Sequence, residues 1–231
     1  MPLDISAFTP LNEKQWKQKI QMDLDGLDYN RTLIWQSPEG IAVQPFYTKM
    51  AIDKTLEVPS LPKAWNQCSR IYMGDMKVVC QLIDKRLKKD IKSFYLVCDQ
   101  AFDIKDFCIG LSLKGVNLIF ETNFLDQYWL KECKKNLTNR GAHVYLNQDP
   151  LNLLAKRGNW PLPKEKVFKP LFDFLKSDPT SSILGVNALL YTESGANIIQ
   201  QLAYAMAQTN EALEQLRAYG ELPGEIHLIY T

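Results

Sequence analysis

From residue 70 onward the chain alternates short apolar runs with amphipathic stretches, and this alternation constrains its fold more than any other feature. Residues 70–73 read as a weak strand, followed by a helix carrying Val78, Val79, Leu82, Ile83 and Leu87. FYLVC (94–98) is a continuous apolar run bounded by charge, the mark of a strand buried on both faces. Residues 103–113 read as helix, VNLIF (116–120) as the next strand, 125–137 as helix and 143–146 as a fourth strand. Residues 150–163 read as a long connection, and 164–176 as a helix with Val167, Leu171, Phe174 and Leu175 on one side. ILGVNALL (183–190) is a fifth strand, 198–216 the clearest helix, and 226–230 a sixth strand. Such an order implies a parallel α/β sheet.

Two architectures fit: an open doubly wound sheet and a (β/α)8 barrel. Met73-Gly74-Asp75-Met76 holds one glycine and no GxGxxG, so a nucleotide-binding open sheet has no support. A barrel needs eight strands and about 250 residues, whereas only about six strands fit after the N-terminal region. The expectation is an α/β chain with an N-terminal helix and extended arm (1–65), then a TIM-type (β/α)8 barrel (66–231). That barrel is incomplete, with five to six strands, and Thr231 falls directly after one of them.

In the N-terminal region, Thr9-Pro10 has the form of a helix start. Trp16, Ile20 and Leu24 recur at i, i+4, i+8 and give one amphipathic helix that stops near Gly26. LIWQSPEGIAVQPFYT (33–48) follows. Trp35, Ile41, Val43, Phe46 and Tyr47 are large and apolar, but Pro38, Gly40 and Pro45 interrupt them, a backbone unsuited to the middle of a sheet. Such a segment lays its side chains either on the protein's own core or on a partner. Residues 58–65, with Pro59 and Pro62, form the candidate linker.

The 231 residues are 46% hydrophobic and 23% charged, with a net charge of +1, an ordinary globular composition. No basic stripe with interleaved aromatics is present, which argues against nucleic acid. The run 85–90 (KRLKKD) reads as a solvated helix end. Cys68, Cys80, Cys98, Cys108 and Cys133 lack CxxC spacing and read as reduced, packed thiols. No apolar run approaches the roughly 20 residues of a membrane span. A cytoplasmic protein with neither membrane nor nucleic acid as partner is expected.

Trp16, Leu24-Asp25-Gly26, Leu33-x-Trp35 and Pro38-Glu39-Gly40-Ile41-x-Val43-x-Pro45-Phe46-Tyr47-Thr48 closely resemble the N-terminal arm of methylmalonyl-CoA mutases. Thr192-Glu193-Ser194-Gly195-Ala196-Asn197, leading into Gln200-Gln201-Leu202-Ala203, resembles a second stretch of that family, a Glu-x-Gly-Ala turn between barrel strand and helix. Ser194 can cap that helix and Gly195 permits the turn. The two stretches fall in the family's order.

The resemblance also makes absences informative. Catalytic chains of the family bind adenosylcobalamin through a C-terminal domain whose Asp-x-His-x-x-Gly histidine ligates cobalt. The two histidines here, His143 and His227, lack that motif and read as barrel histidines. Catalytic chains also place a substrate-facing histidine before the Glu-x-Gly-Ala turn, where this sequence has Leu190. The family's aromatic- and arginine-rich segment between arm and barrel has no counterpart between Thr48 and Arg70. Asp99, Asp103 and Asp106 flank a strand end, where barrel active sites collect, and read either as caps or as acid-base groups. Asp149-Pro150 and Glu121-Thr122-Asn123 carry the same ambiguity.

The resemblance therefore implies the small, catalytically silent subunit of a methylmalonyl-CoA mutase, or an N-terminal part of it. The family interconverts methylmalonyl-CoA and succinyl-CoA. No cofactor is expected on this chain; adenosylcobalamin is expected in a large catalytic subunit, with which this chain forms a heterodimer through Trp35, Ile41, Val43, Phe46 and Tyr47. Self-association is expected if the barrel is cut short. The competing readings are a stand-alone scaffold derived from the mutase barrel, and a barrel enzyme using Asp99 or Asp103.

Overall fold

The computed structural model describes residues 11–48, 65–160, 162–223, 226 and 228–231. Two units result, Met1–Leu61 and Pro62–Thr231. Thr9, Pro10, His227 and most of the candidate linker lie outside the described residues.

In the first unit, α1 (Glu13–Asp23) is capped by Asn12. Asn12 and Gln15 form a reciprocal capping box, each side chain accepting the other's backbone N–H at 2.9–3.0 Å. No residue of α1 is buried. α2 (Tyr29–Leu33) is capped by Asp28 and supplies Tyr29, the one buried side chain among the described residues of this unit. β1 (Trp35–Gln36) and β2 (Ala42–Val43) form an antiparallel ladder, pairing Trp35 with Val43 and Gln36 with Ala42.

The segment expected to be unsuited to the middle of a sheet forms only this two-stranded hairpin, in which both strands are edges. Pro38 lies in the turn and Pro45 beyond β2, so neither interrupts the ladder. The Gly40 N–H closes the turn on the Ser37 carbonyl at 2.9 Å, and Gly40 takes φ +79, a value glycine reaches without strain. Ser37 Oγ accepts from the Glu39 and Ile41 amides, and Ser37 N–H returns to the Ile41 carbonyl.

The second unit carries β3 (Cys68–Tyr72), α3 (Met76–Leu87), β4 (Ser93–Cys98), α4 (Ile104–Phe107), β5 (Asn117–Thr122), α5 (Gln127–Thr138) and β6 (His143–Asn147). Then follow α6 (Pro150–Arg157), α7 (Lys164–Ser177), β7 (Leu184–Val186), α8 (Leu189–Glu193), α9 (Ile198–Arg217) and β8 (Leu228–Tyr230). β3-β4-β5-β6 pair in parallel and in chain order, as do β7 and β8. Backbone bonds from Leu146 N to Ser182 O (2.8 Å), Gln148 N to Ile183 O (2.9 Å) and Gly185 N to Gln148 O (3.0 Å) link β6 to β7. The order never reverses, so the sheet has no switch point of the doubly wound kind.

Register assigns the faces. Ile71, Leu96, Phe120 and Leu146 lie in one row, and Phe94 and Leu118 on the same side, all nearly or fully inaccessible beneath the helices. Phe102, Phe107, Phe120, Phe124 and Trp129 stack mostly edge-on there, and Trp129 Nε1 donates to the Phe102 carbonyl at 2.8 Å. The opposite face carries Arg70, Tyr72, Tyr95, Ile119, Glu121, His143, Tyr145 and Asn147. His143 is exposed on this face, and the thiols of Cys98, Cys108 and Cys133 are buried without a disulfide.

Three expectations are corrected. Residues 103–113 hold only one helical turn, α4, because Gly110 adopts φ +74 and the chain turns back to bury Leu113. The expected connection 150–163 contains α6: Asp149 caps it, Pro150 sits in the first turn where its missing N–H costs nothing, and Gly158 ends it at φ +75. The strand expected over 183–190 stops at Val186, since Asn187 Oδ1 accepts the Leu189 N–H and turns the chain into α8. The expected incomplete TIM-type barrel is not confirmed. Among the described residues the four-stranded sheet β3–β6 is not closed, and β7 and β8 form a separate parallel pair joined to it by the Gln148–Leu184 bridge, where a closed barrel takes eight strands.

Gly185 is where packing is least forgiving. A Cβ there would lie 1.3 Å from Asn147 Oδ1. Gly185→Ala should therefore cost about 1–3 kcal/mol in urea unfolding, the range for overpacking. Most of that loss should vanish in Gly185→Ala combined with Asn147→Ala; an undiminished loss would mean that another contact is responsible.

Candidate functional site

Polar side chains converge where β5, β6 and β7 end. Each strand is apolar on the helix side and finishes in a polar residue on the other, which places Glu121, Asn147 and Asn187 together. Asp149, 8% exposed, is the hub. Its Oδ1 accepts the Asn152 N–H at 2.9 Å as the α6 cap, and its Oδ2 accepts the Asn187 N–H at 2.8 Å. Gln208 Nε2, from α9, donates to both oxygens at 2.6 and 2.8 Å. Tyr191, from α8, donates to Gln208 Oε1. Burial raises the Asp149 carboxyl above its ordinary range, against the lowering pull of these donors.

Glu121 is also buried. Arg70 Nη2 lies 3.5 Å from its Oε2, a charge contact without hydrogen-bond geometry, and Asn187 Nδ2 donates to its Oε1 at 3.4 Å. The Arg70 guanidinium stands over the Tyr95 ring, 5.7 Å from its centre. Tyr95 OH accepts from Asn147 Nδ2 at 2.8 Å, and burial pushes that phenol up. A cleft of about 240 Å³ opens here, lined by Arg70, Tyr95, Glu121, Asn187, Leu189 and Thr231. A larger groove between α5 and α7 is walled by Lys131, Lys134 and Lys135, with Lys134 engaged by Asp178 and Ser181.

The strand-end aspartates resolve differently. Asp99 accepts from Tyr72 OH and from Asn123 Nδ2 (2.6 Å), and these bonds hold its carboxyl below the usual range. A carboxylate held in that way is a weak base. Asp103 caps α4 through the Lys105 N–H at 2.7 Å. Asp106 lies in that helix's first turn. None of the three shares in the Asp149 cluster. Leu190 is half-buried on α8 and offers no polar atom. Ser194 does not cap α9: its Oγ returns to the Leu190 carbonyl at 2.8 Å, and Asn197 forms the capping box with Gln200. Gly195 does take the left-handed turn, at φ +87.

Of the expected partner-contact residues, Trp35, Ile41 and Tyr47 are about 60% exposed, and Val43 and Phe46 are half-buried. Phe46 meets Trp16 edge-on at 5.9 Å. Sequence reasoning noted Asp149 and Glu121 but missed Asn147, Asn187 and Gln208. The available signal was a polar residue ending an apolar strand, repeated in FET, YLN and GVN.

No protein-family model matches the chain. The methylmalonyl-CoA mutase small subunit of Porphyromonas gingivalis (strain ATCC BAA-308 / W83) is 28% identical to it over 249 residues. That match covers 96% of this chain and 40% of the relative, so the chain spans about two fifths of that protein's length. The resemblance drawn from the arm and the Glu-x-Gly-Ala turn is borne out by this relative.

Gln208→Leu removes both side-chain donors to Asp149 and should destabilise the chain by about 1–3 kcal/mol at neutral pH. Because the folded pKa of Asp149 is raised, the stability it contributes is full below its ordinary value of 3.8 and is lost as pH rises through the folded pKa. The Gln208→Leu penalty should therefore shrink on acidification toward that window, since a protonated Asp149 needs fewer donors. Urea unfolding across pH measures this; a penalty that grows on acidification overturns it.

Proposed function

We propose that this chain acts as the small subunit of a methylmalonyl-CoA mutase, or as the N-terminal part of one, and supports a large catalytic subunit without turning over substrate itself. The observation that carries the reading is the co-linear match to a mutase small subunit over 96% of the chain. In this reading the six parallel strands are the opening part of a (β/α)8 barrel, with the polar face of the sheet turned to the barrel interior. The sequential strand order and the placing of the buried helical faces on one side support it.

Catalytic silence is supported by chemistry. Acyl isomerisation needs donors at the thioester carbonyl. Leu190 stands where the family's catalytic chains carry a histidine, and the carboxylates at the strand ends are engaged in caps and bonds. The residues here do not fit adenosylcobalamin: His143 is followed by Val144-Tyr145-Leu146, without the Asp-x-His-x-x-Gly setting of a cobalt ligand. The cofactor is assigned to the large subunit.

Partner contact is assigned to the first unit. Trp35, Ile41 and Tyr47 stand out from the hairpin, backed by Val43 and Phe46. Large aromatics at the centre of an interface carry disproportionate binding energy. Mutase activity should develop when this chain is mixed with the large subunit of the same organism, and not with this chain alone. Trp35→Ala should weaken that association by about 2 kcal/mol, roughly 30-fold in Kd. Unchanged co-purification and an unchanged Kd would sink the assignment.

A further inference from the structure

On α9, Ile199, Leu202 and Met206 are 65%, 64% and 62% exposed. With Thr209 they fall at i, i+3, i+7 and i+10, the spacing of a seam that packs against another helix. The buried residues of α9, Ala205, Gln208, Ala212 and Leu216, lie on a different face and already hold the helix to its own unit. No charged residue stands between Glu193 and Glu211, so the seam lacks the polar character of a solvated helix face. A contiguous apolar stripe of this kind marks an interaction surface.

The seam runs beside a free strand edge. Thr209 Oγ1 and Tyr230 OH lie 2.8 Å apart, which puts β8 next to it. β8 pairs with β7 and with no other strand among the described residues. Its sequence, Leu228-Ile229-Tyr230, carries neither charge nor proline to protect that edge. The occupant of this side therefore offers a helix seam and a strand edge together. A second copy of this chain has both. About a two-fold axis, two edge strands pair antiparallel and two helices meet antiparallel, so one rotation covers both features. The seam is also its own complement in charge, because it carries none.

We propose that α9 and β8 form the interface of a two-fold dimer of this chain. In the seam Leu202 of one copy faces Met206 of the other, and Ile199 faces Thr209, with no like charges opposed. The β8 edges meet beneath the paired helices. The inference rests on the second unit alone and not on the mutase reading.

Sedimentation velocity of the full chain over a range of concentrations tests this. Wild type should shift from monomer to dimer as concentration rises, since so small an interface belongs to the transient class, below about 1,200 Å². Leu202→Glu and Met206→Lys each place an unpaired charge in the seam and should raise the dimer Kd at least about tenfold. Mixed in equal amounts, the two variants should recover dimerisation, because the new carboxylate faces the new ammonium across the two-fold axis. Both positions are exposed, so circular dichroism should show wild-type folding. If either variant does not fold, Leu202→Ala and Met206→Ala take their place and should each weaken the dimer. A wild type that stays monomeric at every concentration overturns the proposal and leaves this face to a different partner. So does a dimer that neither substitution weakens, or one that the mixture of charged variants does not restore.

Discussion

Asp149 holds together the end of the second unit on which its polar residues meet. One carboxylate caps α6, receives the amide that follows β7, and is gripped by Gln208 from the middle of α9. Four hydrogen bonds to one buried charge is the arrangement in which such a group is tolerable, because charge-assisted bonds offset part of its desolvation. The raised carboxyl shows that the offset is incomplete. The consequence is geometric. β6 and β7 are joined by few backbone bonds, and Asp149 adds the side-chain links that fix where the strands end and hence where Glu121, Asn147 and Asn187 face one another.

The same corner shows how much packing depends on one missing methyl group. Gly185 follows Leu184, which bridges Gln148, so it lies on the polar face next to Asn147. A side chain at Gly185 would displace the Asn147 amide that donates to Tyr95, and Tyr95 in turn sits under Arg70, its register partner on β3. The chain Arg70–Tyr95–Asn147–Gly185 therefore runs across four strands and fixes the polar face, while the apolar rows Ile71–Leu96–Phe120–Leu146 fix the other.

The strands and long helices were legible in the sequence because their burial is regular. FYLVC is buried at nearly every residue, VNLIF fully at alternate ones, and 164–176 and 198–216 repeat at helical spacing, so pattern alone located them. What was not legible depended on single residues whose meaning is set by context. Pro150 reads as a breaker in isolation and is a first-turn proline once Asp149 caps the helix. Asn187 looks like one polar letter in an apolar strand and is the residue that ends it. Gly110 cuts a promising helix to one turn. The site was half legible: Glu121 and Asp149 stand out as charges at strand ends, whereas Asn147, Asn187 and Gln208 gain their roles only when three strands and α9, 59 residues from Asp149, converge.

The first unit poses the opposite physical problem. An isolated helix of 11 residues is marginal in water, and so is a two-stranded hairpin. Here the helix buries no residue and the ladder is two residues long on each side. The local devices are well made: a complete capping box, a serine-braced turn, an edge-on Trp16–Phe46 pair and a Thr48–Glu13 hydrogen bond. Each contributes on the order of 1 kcal/mol, against a backbone ordering cost of roughly 1–2 kcal/mol for every residue fixed. Such devices select a conformation without holding it. Burial of Trp35, Ile41 and Tyr47 is the term able to close that gap, at roughly 25 cal/mol per Å². In the proposed assembly the large subunit supplies the covering surface, and the conformation preset by the caps and the turn lowers the ordering cost of binding.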